Sequence, residues 1–438
     1  MMRRMETKAP TVNRWLQLVA CVIAMMAIAN LQYAWTLFTI PLTESLGAKL
    51  SAVQLAFGLF VLLQTWLGPL QGLLIDRLGT RVVVSFGAIL VGLGWVGSGL
   101  ANSLLGLYLW YGLGGVGAGA VYLSSIGTAL KWFPDRRGFA AGLTAGAYGF
   151  GTALTILPIQ WMIESSGYRR TFIVWGVVQG LLVLMAAQFL RKAPTDLRAA
   201  PDAARPSKPS KVVQNALNYT PGQMVRTGTF WLMYLMMTMV AFGGLMVTAQ
   251  IKPIATTYGM DEHVLFFGVT ALGLALILSG VLNGATRPFW GYISDRIGRY
   301  QTMGIAFALE ALGIFALLSF IGHPLWFVIL SGLVFFAWGE IYSLFPAAVG
   351  DVFGPRYAAT NYGIQYTAKG TASIFAGVGA AWIFETWGSW EGVFWVAVCC
   401  DLLAAGLAFF WLRPLAYRLA LGRGQTIPVE ATRTATAS

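Results

Sequence analysis

Two cations stand apart from every other lysine and arginine in this sequence. Arg287 and Lys369 fall inside long apolar stretches, whereas the other lysines and arginines lie in polar connections. A guanidinium can grip a carboxylate through two parallel hydrogen bonds, and an ammonium offers a compact point charge. Placed in an apolar interior, each cation costs at least ~2.5–3.5 kcal/mol, and two at one depth repel unless something negative joins them. That partner is either an anionic guest, best a dianion, or a protein acid on a neighbouring helix. The candidate acid is Glu340. Trp338 and Tyr342 are four residues apart and share a helical face, which Glu340 does not. If those two aromatics line a cavity, Glu340 points away from it, to pair with another helix or to carry a proton. Glu310 and Asp401 are single acids in other apolar stretches, where hydrogen bonding or neutral protonation is the expected state. Cys21, Cys399 and Cys400 show no disulfide or metal spacing, and His263 and His323 fall between apolar runs.

The elements that must position these groups follow from composition. Of 438 residues, 57% are hydrophobic and 11% charged, far below the ~25% charge of a soluble protein. A hydrocarbon core needs roughly 20 apolar residues per crossing. Twelve segments qualify, at 15–43, 51–74, 82–101, 104–130, 138–163, 171–190, 228–250, 264–292, 301–320, 325–348, 361–383 and 392–412. Backbone groups in lipid must bond internally, and the ten-residue alternation of a β-barrel is missing, so an all-α membrane protein of twelve transmembrane helices is expected. The first apolar run follows Arg3, Arg4, Lys8 and Arg14 but is too long for a signal peptide.

The net charge of +12 does not indicate nucleic acid, because the basic residues occupy short loops. With the N-terminus inside, 23 fall in inside loops and four (Lys49, Arg169, Arg170 and Lys252) in outside loops. That bias predicts a cytoplasmic-membrane protein with both ends in the cytoplasm. In this frame Arg287 lies ~12 Å and Lys369 ~13–14 Å from the cytoplasmic side, Glu340 ~16 Å, Tyr122 ~12 Å and Tyr148 ~15 Å. These depths are near the midplane, where transporter sites lie.

The chain also repeats. Residues 72–81, GLLIDRLGTR, return as GYISDRIGRY at 291–300. Together with a Pro-rich charged stretch after the sixth segment, this predicts two pseudo-symmetric six-helix bundles, 15–190 and 228–412. A flexible linker at 191–227 joins them and a polar tail occupies 413–438. Glycines at 142 and 146, and at 280 and 284, have the small-xxx-small spacing of close helix pairs, and Gly112, Gly114, Gly115, Gly117 and Gly119 line the fourth segment.

The repeated loop, Gly72, Asp76, Arg77, Gly79 and Arg81, then Gly291, Asp295, Arg296, Gly298 and Arg299, resembles the signature of the major facilitator superfamily. The resemblance implies that these acids and arginines form a charge latch able to make and break between the halves. A closer resemblance, to the oxalate/formate antiporter family, rests on QYAWTL at 32–37, residues 131–151, NGATRPFWGYISDRIGRYQ at 283–301, WGEIYSLFP at 338–346 and residues 361–376. It runs over about residues 13–413. It implies that Arg287 and Lys369 bind the two carboxylate ends of oxalate within a cage of Tyr33, Tyr122, Tyr148, Trp338 and Tyr342. Gln32 and Gln54 are weaker polar candidates. Glu340 departs from the family pattern, which has a small residue there.

The expected function is therefore secondary transport, exchanging oxalate for formate by alternating access, with proton-coupled symport of a monocarboxylate as the alternative. No enzyme constellation, cofactor motif or metal cluster stands in the sequence. The expected partners are small carboxylate anions and the lipid bilayer, with no nucleic acid, and the chain is expected to be a monomer.

Overall fold

The computed structural model describes residues 13–133, 136–193, 218–354 and 356–421. The N-terminal basic cluster, most of the 191–227 linker and the tail beyond Leu421 lie outside the described residues. Apart from one small hairpin, the ordered elements are helices.

Twelve membrane spans, α1 to α12, account for the fold. α1 is broken into Arg14–Ile28, Asn30–Tyr33 and Thr36–Leu46. α2 comprises Leu50–Trp66 and Gly68–Leu78, bent by 50° at a break before Pro69. α3 is Thr80–Leu100 and α4 Leu104–Trp132. The continuous run Arg137–Phe189 holds both α5 and α6, parted at Gly167, whose φ of 79° no helix allows. α7 is Gly228–Thr257, α8 Ala271–Ile297 and α9 Arg299–Ser319. α10 comprises Pro324–Trp338 and Ile341–Phe353, interrupted at Gly339–Glu340. α11 runs through Ala358–Ile374, a π-helical turn Phe375–Gly379, and Ala380–Trp387. α12 runs through Glu391–Leu407, a second π-helical turn Ala408–Leu412, and Arg413–Leu421. Among the described residues α11 alone is too polar to qualify as a span by its own apolarity. It carries Asn361, Gln365 and Lys369 inward, all buried.

The eighth segment begins later than its composition implies. Residues 264–270 form a hairpin of β1 (Val264–Phe266) and β2 (Val269–Thr270). Phe267 at φ 52° and Gly268 at φ 75° make its turn, and the Thr270 hydroxyl then caps α8 by accepting from the Gly273 amide. Residues 218–227 are ordered. Pro221–Met224 forms a capped helical turn, and Tyr219 bonds Phe353 and Asn361. α12 extends past 412 to Leu421.

The internal repeat is visible in the backbone. The α2–α3 corner turns on Gly79 (φ 86°, ψ 156°) and the α8–α9 corner on Gly298 (φ 104°, ψ 152°). Both are left-handed conformations that favour glycine. The halves meet along α5 with α8 and α2 with α11. At the first seam a Cβ on Gly149 would stand 2.6 Å from the Gly284 amide nitrogen, and one on Gly146 2.9 Å from the Gly284 carbonyl. Gly146, Gly280 and Gly284 thus serve the close approach expected of them. Gly142 faces open space, and Gly149 takes its place.

Candidate functional site

Two of the broken helices, α1 and α10, carry side chains of the site next to their breaks. A break frees backbone polar groups and re-aims side chains, which lipid tolerates only where protein encloses it. The interruption of α1 places Gln32 and Tyr33 inward, and that of α10 places Trp338 and Tyr342 on either side of Glu340. Arg287 on α8 and Lys369 on α11 both approach one ring, that of Tyr342. The guanidinium carbon lies 4.4 Å from the Tyr342 ring centroid, and the ammonium lies 5.5 Å from it. The ammonium is also 5.5 Å from the Tyr366 ring. Both cations are shut from solvent, at 4% and 1% exposure.

Neither cation has an ion-pair partner among the described residues. Arg287 Nη1 donates to the Ala145 carbonyl at 2.6 Å, and Nη2 to Asn283 Oδ1 at 3.5 Å. Lys369 Nζ donates to Gln32 Oε1 at 2.9 Å, Gln64 Oε1 at 3.2 Å and the Tyr366 hydroxyl at 3.4 Å. Each partner is neutral. The pairing of these cations with a helix acid, left open by the sequence, is not what the structure holds. Ala145, Gln32 and Gln64 belong to the first half and the cations to the second, so these bonds cross the interface.

Aromatic rings wall the chamber. Tyr33 lies 5.4 Å from Tyr148, Tyr148 lies 5.5 Å from Tyr122, Tyr122 stacks at 6.2 Å on Tyr366, and Trp338 lies 5.4 Å from Tyr342. Trp338 is seated by the bare backbone of Gly244, against which its ring packs. The Tyr148 hydroxyl donates to Gln32 Oε1 and accepts from Gln64 Nε2, and Tyr33 donates to Asn283 Oδ1. Several donor-bearing atoms here have no partner within the protein: Arg287 Nε, Gln32 Nε2, Asn283 Nδ2, Trp338 Nε1 and the Tyr342 hydroxyl. Two cations and spare donors without an acid make a chamber suited to an anion.

Eight of the nine expected binding residues come together, and Gln54 does not. Gln54 Oε1 accepts from Trp35 Nε1, and its Nε2 donates to the Ala249 carbonyl and Gln250 Oε1. It is spent on a brace between the halves, because a buried amide takes the nearest complementary groups. A further bond between the halves lies toward that end, where the Ser51 amide and hydroxyl both donate to Glu385. Asn283, Gln64 and Tyr366 join the site unannounced. Asn283 stands four residues before Arg287 and Tyr366 three before Lys369, a spacing that puts each on its cation's helical face and could have found them. Gln64 carries no such signal.

The latch residues make the following contacts in this structure. Asp76 pairs with Lys131 at 3.7 Å. Arg81 donates to Gln188, and Arg299 pairs with Asp295 at 2.7 Å and Asp351 at 3.1 Å. Arg296 lies over Tyr292, and Arg77 is exposed. Every one of these contacts stays within one half. Asp295 lies one helical turn from Arg299, and Asp76 of α2 meets Lys131 of α4 in its own half.

Comparison with known proteins agrees with this architecture. The sequence matches the model of the Major Facilitator Superfamily over residues 20–283 and again over 231–431. The chain belongs to the Major Facilitator Superfamily. This superfamily member is 36% identical over 401 residues to the oxalate:formate antiporter of Oxalobacter formigenes, covering 91% of each chain. It is 23% identical to monocarboxylate transporter 14 of Mus musculus, over 89% of this chain and 86% of that one. Among solved structures, the inward-open xylose transporter XylE of Escherichia coli superposes with a TM-score of 0.71 at 16% identity, covering 91% and 96% of the two chains. At that identity the likeness concerns the fold alone. This facilitator is a multi-pass membrane transporter and not an enzyme.

Proposed function

We propose that this transporter exchanges oxalate for formate by alternating access, with Arg287 and Lys369 holding the two carboxylates of the dianion. The observation that carries the reading is the pair of buried cations beside Tyr342 whose hydrogen-bond partners are all neutral. The 36% identity to an oxalate:formate antiporter supports the cargo. Two cations in one chamber match a dianion better than a single carboxylate, which favours exchange over proton-coupled monocarboxylate symport.

Bottom-up, the cycle follows from charge. A neutral carbonyl only partly offsets a buried cation, whereas a carboxylate offsets it fully. Oxalate therefore displaces the Ala145, Gln32 and Gln64 acceptors, and the loaded chamber becomes neutral overall. Residues 15–190 then rock against 228–412 on the glycine seam, with 191–227 as the connecting linker, both termini in the cytoplasm and the chain in the cytoplasmic membrane. The Asp76–Arg77–Arg81 and Asp295–Arg296–Arg299 loops stiffen the ends of each half. An emptied chamber holds uncompensated cations and resists closure, so the return swing waits for formate to bind.

Counterflow in proteoliposomes with labelled oxalate, formate, lactate and succinate tests this. Oxalate and formate should exchange and Arg287→Ala should not. Normal oxalate counterflow in Arg287→Ala, or rapid net efflux with no external carboxylate, would overturn it.

A further inference from the structure

Three acids remain that the carboxylate chamber does not use. Glu310 on α9, Glu340 at the break in α10 and Asp401 on α12 are each 0% exposed. None of their six carboxyl oxygens meets a cation or a side-chain donor, and the Gly244 amide beside Glu310 is the one backbone donor in reach. They are close together. A Cβ added at Gly243 of α7 would lie 3.0 Å from Glu310 Oε1 and 3.1 Å from Asp401 Oδ2, so these two carboxyls converge on one bare point of backbone. Glu340 is within electrostatic reach of both. Beside them, on the adjacent Gly244, lies the Trp338 ring, whose Nε1 is wholly buried and unpartnered.

The basic groups of the surrounding helices are engaged elsewhere. Lys252 of α7 is tied to Asp261, and Arg299 of α9 to Asp295 and Asp351. Arg287 and Lys369 are turned into the chamber. Arg413 of α12 follows Asp401 by twelve residues, ~18 Å along the helix. The remaining titratable neighbours bring no basic group: Cys399 and Cys400 next to Asp401, Tyr362 of α11 near Glu340, and Tyr342 of α10. Three ionised carboxylates cannot share such a space, since each carries the membrane cost of a charge and repels the other two. A protonated carboxyl offers both a donor and an acceptor, so the loaded acids can bond one another.

We infer that Glu310, Glu340 and Asp401 form a proton-binding site apart from the carboxylate chamber, and that its protonated state holds α10 in the broken geometry that presents Trp338 and Tyr342. Glu340 is the joint between the two sites, seated at the break between those two rings. The proton site itself stands without the exchange reading, and only the transport arm of its test rests on that reading.

Infrared spectroscopy of the purified full chain in lipid at pH 7 tests the site directly, using wild type and Glu310→Gln, Glu340→Gln and Asp401→Asn. These amides copy the shape of a protonated acid. Wild type should show the carbonyl band of protonated carboxyls, each variant should remove roughly a third of it, and alkaline titration should bleach the rest. No such band at pH 7, or a band unchanged in all three variants, overturns the proposal, and the wild-type titration alone decides it if a variant fails to fold. In counterflow, wild-type exchange should fall as pH rises and Glu340→Gln should flatten that fall. Identical pH profiles overturn the link to α10. Absence of oxalate counterflow at every pH with the infrared band intact counts against the oxalate assignment alone.

Discussion

The two halves share a repeat and a backbone plan, yet their interiors differ in kind. Among the described residues, the first half buries polar side chains but no charged one, whereas the second buries Arg287, Lys369, Glu310, Glu340 and Asp401 within its spans, and Asp351 at the end of α10. The first half meets the two cations with a carbonyl from Ala145 and the amide oxygens of Gln32 and Gln64. The division has a physical use. Breaking a buried ion pair costs about 3–5 kcal/mol, whereas a hydrogen bond to a neutral acceptor contributes about 1.5–3 kcal/mol even when charged. Halves joined at the chamber by dipoles can part each cycle. Halves joined there by an ion pair would be held shut.

The strongest way to break this contrast is to put a charge where the first half has none. Gln64→Glu gives Lys369 a permanent partner, and counterflow should fall more than ~100-fold while thermal stability rises, consistent with ~3–5 kcal/mol. Transport at wild-type rates would show that the neutrality of the first half is incidental. Removing a charge from the second half comes next. Arg287→Ala should lower oxalate counterflow at least ~30-fold, from the ~2–5 kcal/mol of a buried charged contact. Arg287→Lys should recover only part of it, because the two-pronged grip is lost. Gly149→Ala forces backbone apart where the halves touch. Its cost of roughly 1–3 kcal/mol should appear as a lower melting temperature together with slower exchange. Gln64→Leu leaves Lys369 its Gln32 and Tyr366 acceptors, so transport should weaken only ~3- to 10-fold, nearer the ~0.5–1.5 kcal/mol of an ordinary net hydrogen bond.

The smallest effect lies outside the membrane, at Asp261. Partial burial works against its carboxylate, but hydrogen bonds from Lys252 and Thr256 outweigh that and hold it below the usual range. A lowered folded-state value stabilises above the unfolded value, near 3.9, and that stabilisation fades as pH falls through the folded value. Asp261→Asn should therefore lower the melting temperature slightly at neutral pH and not at all in strong acid. An equal loss at both would locate the effect in packing instead.

Much of this was legible in the chain itself. Apolar run length and loop charge gave twelve spans, because lipid admits no other way to satisfy a backbone and leaves few places for lysine and arginine. Arg287 and Lys369 were readable for the same reason, as charges with no ordinary excuse to be where they are. Their depth followed from helical rise. Lateral matters were not readable: which helix faces which, and which nearby group a polar atom finds first. So Gln54 braces the halves instead of entering the chamber, Gln64 was missed, and the loop acids, expected to make and break bonds between halves, meet basic groups of their own half in this structure. Glu310 and Asp401, far apart in sequence and unremarkable singly, became a cluster only when α9 and α12 packed on the bare backbone of Gly243. Composition determines that a segment enters the membrane and how deep a residue sits. Only packing decides what stands beside it, because a contact depends on helix rotation and neighbour choice, which no periodicity within one helix records.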